Sequence, residues 1–572
     1  MASRNSMTRT DETTVTTTTD TATVTRLSPD GTVTTVVTTT IVTVPGPKVP
    51  ALVESSVPEV SPLRSKVLVR SLSPDEDMIK SSGKIPKLVD LRIRPEPISL
   101  EPIRPEPIYT PQSQTMRLRR AQSTPAKIRP GSVRMLSCAY QKYAWGKSGG
   151  GSTAANMVMA ASREHEKTGL SSSFTIPDNV PVAEMWMGTH PSGMSRVLDK
   201  DGVSTSLLDY VRQDPDKHTG EGENNLTFLF KVLSIGQVLS IQAHPDKHLA
   251  VRLHAARPTL YKDPNHKPEM AISLSDDTSA LIGFRPIPEI YEHMINYPEF
   301  AQAVGDRAVA MCASLAGFRS GYGASVGGDE MDRPVEEGRC WAALQEMFRT
   351  FVCSDRNEHV VKQVHAITKR LREKNKTAGG TDVTEGVILY FASIYPDDPC
   401  VLSPLFFNHV QIARGQALYI RTNEPHAYIS GELIECMACS DNVVRVGLTP
   451  KVKDTETLLD MLTYRAGKPR LTYGERIDGH TTLYRPPVKD FCVETVIVEV
   501  NGKSVIGAVP SPAILLCVEG GGSLKQEFAD GTKEEHRLSF GMSVFISANT
   551  SVEVSTDGGI MIARAMSNIH CS

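Results

Sequence analysis

No uninterrupted apolar run in the 572 residues approaches the roughly 18 that a membrane-spanning helix needs. Charge of one sign is equally scarce. The 62 Lys and Arg against 65 Asp and Glu leave a formal net charge of −3, so bulk electrostatics predict neither nucleic acid nor an anionic membrane as partner. Met1 to Arg26 is threonine-rich and has no apolar core, so it does not read as a secretory signal. The ten cysteines are scattered from Cys138 to Cys571, unlike the framework of a small secreted scaffold. A reduced, cytoplasmic protein follows, and the Asn-x-Ser/Thr triplets at Asn225, Asn375 and Asn549 are then chance matches. The length allows roughly two to four domains.

What is present divides near residue 131. Before it lie a Thr/Val tract from Thr13 to Val44 and a proline-rich stretch in which Arg94-Pro95-Glu96-Pro97-Ile98 recurs as Arg104-Pro105-Glu106-Pro107-Ile108. Such segments bury too little apolar surface to offset their ordering entropy, so residues 1–130 are expected to be a disordered tail. Val24 to Val36, which brackets Pro29-Asp30-Gly31, is the exception that predicts a transient hairpin. After it, short β-rich segments dominate Met135 to Arg285, including Phe228 to Leu233 and Val238 to Ile241. Three- and four-residue apolar spacing then predicts helices over Cys340 to Phe351 and His359 to Glu373, with a third over Val387 to Ile394. Short strands return beyond Pro399: Ala417 to Arg421, Val493 to Val500, Ala513 to Val518 and Ser543 to Ser547. The expected fold is mainly β, with two jelly-roll-like β-domains and an α-helical insertion.

Chemistry concentrates in Ser240-Ile241-Gln242-Ala243-His244-Pro245, His266-Lys267-Pro268-Glu269 and Pro425-His426-Ala427-Tyr428. Alternate side chains of a strand share a face. Ser240, Gln242 and His244 would therefore point one way, as would Lys267 and Glu269. Gln242, His244, Glu269 and His426 form an N/O set suited to zinc or a similar divalent metal.

The longer motifs carry a resemblance. Tyr140-Gln141-Lys142-Tyr143-Ala144-Trp145-Gly146, Ala183 to Pro191, Ser240 to Lys247, Tyr261 to Met270 and His426 through Lys451 are similar to type I mannose-6-phosphate isomerases, from about residue 134 to the C-terminus. The resemblance implies a zinc-dependent cupin enzyme that interconverts mannose 6-phosphate and fructose 6-phosphate. It places one Zn2+ per chain on Gln242, His244, Glu269 and His426, and implies a second cupin-like domain. The division is then residues 131–288 and 398–470 for the catalytic cupin domain, 289–397 for the helical domain and 471–572 for the C-terminal cupin-like domain. It also implies, weakly, a monomer.

An aldose–ketose isomerase moves a proton between C1 and C2 through a cis-enediol, so it needs a Lewis acid, a proton carrier and a cation for the phosphate. Arg445, which the resemblance places in the active site, is the expected catalytic cation, with Lys451 beside it and Glu435 as the proton-handling carboxylate; Asp441 is a further carboxylate there. Ser240 and Lys267, on the ligand-bearing faces, are the expected phosphate contacts, joined by Lys231. Trp145 and Trp186 read as core. His248 and His254 fall on an expected helix, His266 reads as structural, and Cys436 and Cys439 lack the second pair of a zinc or redox site. In the tail, Arg120 to Pro125 resembles a phosphoserine motif centred on Ser123, which a 14-3-3-type adaptor would read. The reading is an isomerase acting on a small sugar phosphate and feeding carbohydrate metabolism and GDP-mannose biosynthesis. The alternative is a non-catalytic, metal-bound, sugar-phosphate-binding cupin that acts as a scaffold through its tail.

Overall fold

The computed structural model describes residues 15–27, 33–45, 133–199, 204–220, 223–316, 335–353, 357–378, 382–528 and 530–569. They fall into two compact units, Met1–Arg119 and Arg120–Ser572. In the first, Val15–Leu27 pairs antiparallel with Val33–Pro45, and Val24 faces Val36. The ladder runs well beyond the hairpin expected around Pro29-Asp30-Gly31, because β-branched Thr and Val continue along both strands. The proline-rich repeats and Ser123 lie outside the described residues.

The second unit is organised around one long strand, His426–Ala438. Its first half pairs antiparallel with Thr278–Phe284 and, at His426, with Ile241–Ala243. Its second half lies between Phe228–Ile235 and Glu269–Ser273. The changeover falls at Gly431, where φ is +118° and a Cβ would collide with Thr278. A strand that bends at glycine can pass from one sheet to another and close a barrel corner. Ile241–Ala243 also pairs with Val444–Gly447, which sets Gln242 opposite Arg445. These strands are buried on both faces, so the charged residues within them must find partners inside.

A second sheet takes its strands from residues 475–566, but also accepts Val133–Ser137 against Ser543–Ile546, followed by Arg196–Leu198 and Ser204–Ser206. The segment read as opening the catalytic domain thus opens in the C-terminal sheet. Strand signals show that a segment is extended, not which distant segment pairs with it. One apolar core, including Leu136, Met185, Phe230, Ile514 and Phe545, runs through both sheets.

The expected helices appear as Val335–Val352, Asn357–Ala378 and Val383–Ile394, preceded by Ile287–Asn296, Pro298–Val304 and Asp306–Leu315. Their apolar faces pack with Phe284, Phe348, Phe406 and Phe407 into a core that continues to Ala427, Val444 and Val446. The helical section therefore backs the two strands that carry His426 and Arg445. Among the helices not anticipated is Thr153–Lys167, capped by Ser152, whose side chain accepts from Ala155 N. It buries Ala154, Met157 and Val158 against the sheets. Among the described residues no helix is long and apolar enough to cross a membrane.

Candidate metal centre and active site

His244 is fully buried, and Glu269 and His426 are 1 % exposed. Gln242 pairs across the ladder with His426, while Glu269 opens the strand that lies on the other half of His426–Ala438. One long strand thereby gathers residues distant in sequence. The ligand atoms of His244, Glu269 and His426 lie within 4.8 Å of one another, and no other such group occurs among the described residues. His244 Nε2 is 3.2 Å from Glu269 Oε1, and His426 Nε2 is 3.4 Å from Glu269 Oε2.

Each imidazole is fixed from behind. His244 Nδ1 donates to the Asn442 carbonyl at 2.8 Å and His426 Nδ1 to the Glu424 carbonyl at 3.0 Å, so both rings turn Nε2 inward as an acceptor. Burial, with the Lys267 ammonium next in effect, lowers His244 to about 4, which keeps it neutral near pH 7. Burial alone would raise the Glu269 carboxyl, yet Lys267 and His244 hold it well below the usual range. Glu269 Oε2 is buried without a hydrogen-bond partner. Two imidazoles that turn Nε2 inward and a carboxylate with one buried, unpartnered oxygen fit a divalent cation of the zinc type. Gln242 Nε2 lies 3.5 Å from His426 Nε2, and Gln242 Oε1 accepts from Ser240 Oγ at 3.2 Å. A half-turn of the amide presents the oxygen to the centre and lets the nitrogen donate to Ser240.

Beside the ligands lies a second buried charge cluster. Lys231 Nζ is 3.0 Å from Glu435 Oε2 and 3.6 Å from Glu184 Oε2, and stands 5.0 Å from the centroid of the Trp186 ring. The Trp186 indole donates to Glu184. Burial would lower the Lys231 ammonium, but Glu184, Glu435 and Glu269 raise it. Glu435 is raised by burial, with Lys231 opposing. Lys267 bonds Glu269 Oε1 and lies 3.5 Å from His244 Nε2. The two lysines expected at the phosphate are thus engaged by carboxylates. Alternation predicted the face that Lys267 shares with Glu269, but could not show what the opposing strands place against it.

Arg445 is half-buried, burial lowers its guanidinium from the usual value, and among the described residues no carboxylate ion-pairs with it. Lys451 Nζ stands 5.3 Å from the centroid of the Tyr143 ring. Burial and then Glu184 raise the Tyr143 hydroxyl to about 12, while Lys231 and Arg445 act in the opposite sense. Three participants escaped the sequence reading: Tyr143, Glu184 and His190, whose Nε2 lies 3.3 Å from Asp441 Oδ1. All stand in the quoted motifs, but only position singles them out. Trp186, read as core, also belongs to the charge cluster. His248 and His254 lie on the Lys247–Ala256 helix. His266 pairs with Asp490 at 3.0 Å, and Cys436 and Cys439 are free thiols raised by burial.

Fold and site together define a metal-dependent cupin-type enzyme, with a His-Glu-His centre flanked by a carboxylate–lysine cluster and by Arg445, which no carboxylate among the described residues ion-pairs. The comparisons narrow that class. Residues 133–287 match phosphomannose isomerase type I, catalytic domain, and residues 482–526 match its C-terminal counterpart. Mannose-6-phosphate isomerase 1 of Arabidopsis thaliana is 35 % identical over 439 residues, 76 % of this chain and 93 % of that protein. The Homo sapiens mannose-6-phosphate isomerase is 36 % identical over 433 residues, 73 % of this chain and 94 % of its own. A crystal structure of a mutant phosphomannose isomerase from Salmonella typhimurium covers 77 % of this chain and all of its own, with TM-score 0.59 and 27 % identity. Another, described as mannose 6-phosphate isomerase bound with zinc and yttrium, gives the same coverage and identity at TM-score 0.58. The chain belongs to the type I phosphomannose isomerase family. It is a zinc-dependent aldose–ketose isomerase that interconverts mannose 6-phosphate and fructose 6-phosphate.

Proposed function

We propose that Gln242, His244, Glu269 and His426 hold the zinc, and that the charged residues around them carry out the proton transfer. When bound, zinc supplies a Lewis acid for the sugar oxygens on which negative charge develops in the enediol. Glu435, raised by burial, moves the proton between C2 and C1, and Lys231 and Glu184 hold it in place. Arg445, opposite Gln242 and ion-paired with no carboxylate among the described residues, orients the sugar oxygens and stabilises their developing charge. Lys451 works beside it. Ser240, hydrogen-bonded to Gln242, marks the phosphate end. Lys267 and Lys231 complete the phosphate end with Ser240, and they also face the carboxylates of Glu269 and Glu435. The observation that carries the assignment is the cluster of three buried ligand atoms within 4.8 Å, together with Arg445, which no carboxylate among the described residues ion-pairs.

A coupled assay of the full chain, following fructose 6-phosphate formed from mannose 6-phosphate, tests this reading. Turnover is abolished by a chelator and restored by zinc; undetectable turnover with zinc bound would support the scaffold reading instead. We further place the enzyme in the cytoplasm as a monomer that feeds GDP-mannose biosynthesis through the catalytic domain division given above, with Ser123 as the adaptor site. A mass near 62.4 kDa by light scattering and phosphopeptide mapping of Ser123 test the monomer and the adaptor.

A further inference from the structure

The segment between the Lys247–Ala256 helix and Glu269 is pinned at Asp263. Its Oδ1 accepts from Asn265 N at 3.0 Å, Ser440 Oγ at 2.8 Å and Asn442 Nδ2 at 3.2 Å. Its Oδ2 accepts from Asp441 N at 2.7 Å, and its carbonyl from Asn442 Nδ2 at 2.7 Å. Asn265 adds a second layer. Its carbonyl takes Asn442 Nδ2 at 2.8 Å and Ser440 Oγ at 3.1 Å, and its amide donates to the Cys439 carbonyl at 3.0 Å. The turn 439–442 is thus locked onto the turn 263–265. At its end sits Asn442, fully buried, whose carbonyl accepts the Nδ1 proton of His244.

We infer that Asp263 is a positioning residue of the metal centre: it fixes the carbonyl that orients His244, and through Asp441 N it presents the Asp441 carboxylate to His190. The inference rests on the ligand role proposed for His244. Every group that meets the Asp263 side chain is an N–H or O–H, so a carboxylate accepts them all. An asparagine of the same shape turns an NH2 toward one of those donors and leaves it buried without a partner. The 439–442 turn then shifts, and the His244 ring loses the acceptor that sets its tautomer and direction. Outer-shell groups of this kind typically matter by about 10- to 100-fold in metal affinity. Pro264 adds a fixed φ directly after the hub, so the strain falls on the hydrogen bonds rather than on a pliable backbone.

The test measures zinc affinity of the full chain by chelator competition, and the visible absorption of the cobalt-substituted protein, for Asp263→Asn and His244→Ala. For Asp263→Asn we expect zinc bound about 10- to 100-fold more weakly, an altered cobalt spectrum, and kcat largely restored at saturating zinc. Wild-type affinity with an unchanged cobalt spectrum overturns the inference. His244→Ala separates the two claims. If it keeps zinc, the ligand assignment itself is wrong; if it loses zinc while Asp263→Asn does not, only the positioning role is wrong. Should Asp263→Asn fail to fold, Ser440→Ala serves, since it removes one donor to Oδ1 and the acceptor of Asn442 N. A several-fold weaker zinc affinity is expected there, and none overturns the inference.

Discussion

Gln242 pairs across the ladder with both His426 and Arg445, so ligand and guanidinium occupy neighbouring places with different surroundings. His244 is enclosed, with one nitrogen on a carbonyl and the other among ligand atoms. Arg445 faces no carboxylate among the described residues. His244→Ala is therefore expected to lose both metal and activity. Arg445→Ala should keep zinc within about 2-fold while kcat/KM falls by about 100- to 1,000-fold, the scale of losing one group that stabilises developing charge. Metal analysis beside the coupled assay measures both; loss of zinc from the arginine variant contradicts the division. The gathering of His244, Glu269 and His426 was legible because alternation marks the face of His244 and the family motifs supply Glu269 and His426. Lys231 and Lys267 have surroundings that their sequence did not show. Lys267 was assigned by its face as well as its charge, and its partner Glu269 lies on its own segment, whereas the partners of Lys231, Glu184 and Glu435, stand on the two neighbouring strands.

At the scale of elements, the bend in His426–Ala438 decides whether a site exists. His426 lies before it and Glu435 after it, so straightening the strand would separate the proposed ligand from the proposed proton carrier. Gly431 makes the bend with φ of +118°, which side-chain-bearing residues rarely adopt, and it leaves no room for a Cβ beside Thr278. Gly431→Ala is expected to cost about 1–3 kcal/mol from backbone strain, and more if Thr278 cannot yield. Denaturant unfolding of the zinc-bound protein measures this; an unchanged midpoint removes Gly431 as the cause of the bend. Only the pairing of both halves shows one continuous strand. The periodic helices were readable because their apolar residues recur at three and four. Thr153–Lys167 was not, since its buried residues are mostly Ala and Met, and it follows the glycine run Gly149–Gly151.

For the whole molecule, the two ends of the globular unit are joined by one short strand. Val133–Ser137 lies between Ser543–Ile546 and Arg196–Leu198, with Val133, Met135 and Leu136 buried. At about 2 kcal/mol for each of three buried apolar side chains, the strand contributes roughly 6 kcal/mol, comparable with the about 5–15 kcal/mol that is the whole net stability of a typical domain. Removing it would also bare the edges of both neighbouring strands, which invites association. The residues before it contribute none of the groups assigned to zinc or substrate. Two truncations therefore separate sharply although their end points lie close together. A chain beginning at residue 120 should keep kcat and KM within about 2-fold of the full protein, because Lys231, His244, Glu269, His426, Glu435 and Arg445 all lie within the Arg120–Ser572 unit. A chain beginning at residue 138 should be recovered aggregated or with a strongly lowered unfolding midpoint, even though it retains every one of those residues. If the longer deletion stays soluble and fully active, the second sheet does not depend on the Val133–Ser137 strand, and the continuous core around Phe230 and Phe545 must be held by the remaining contacts alone.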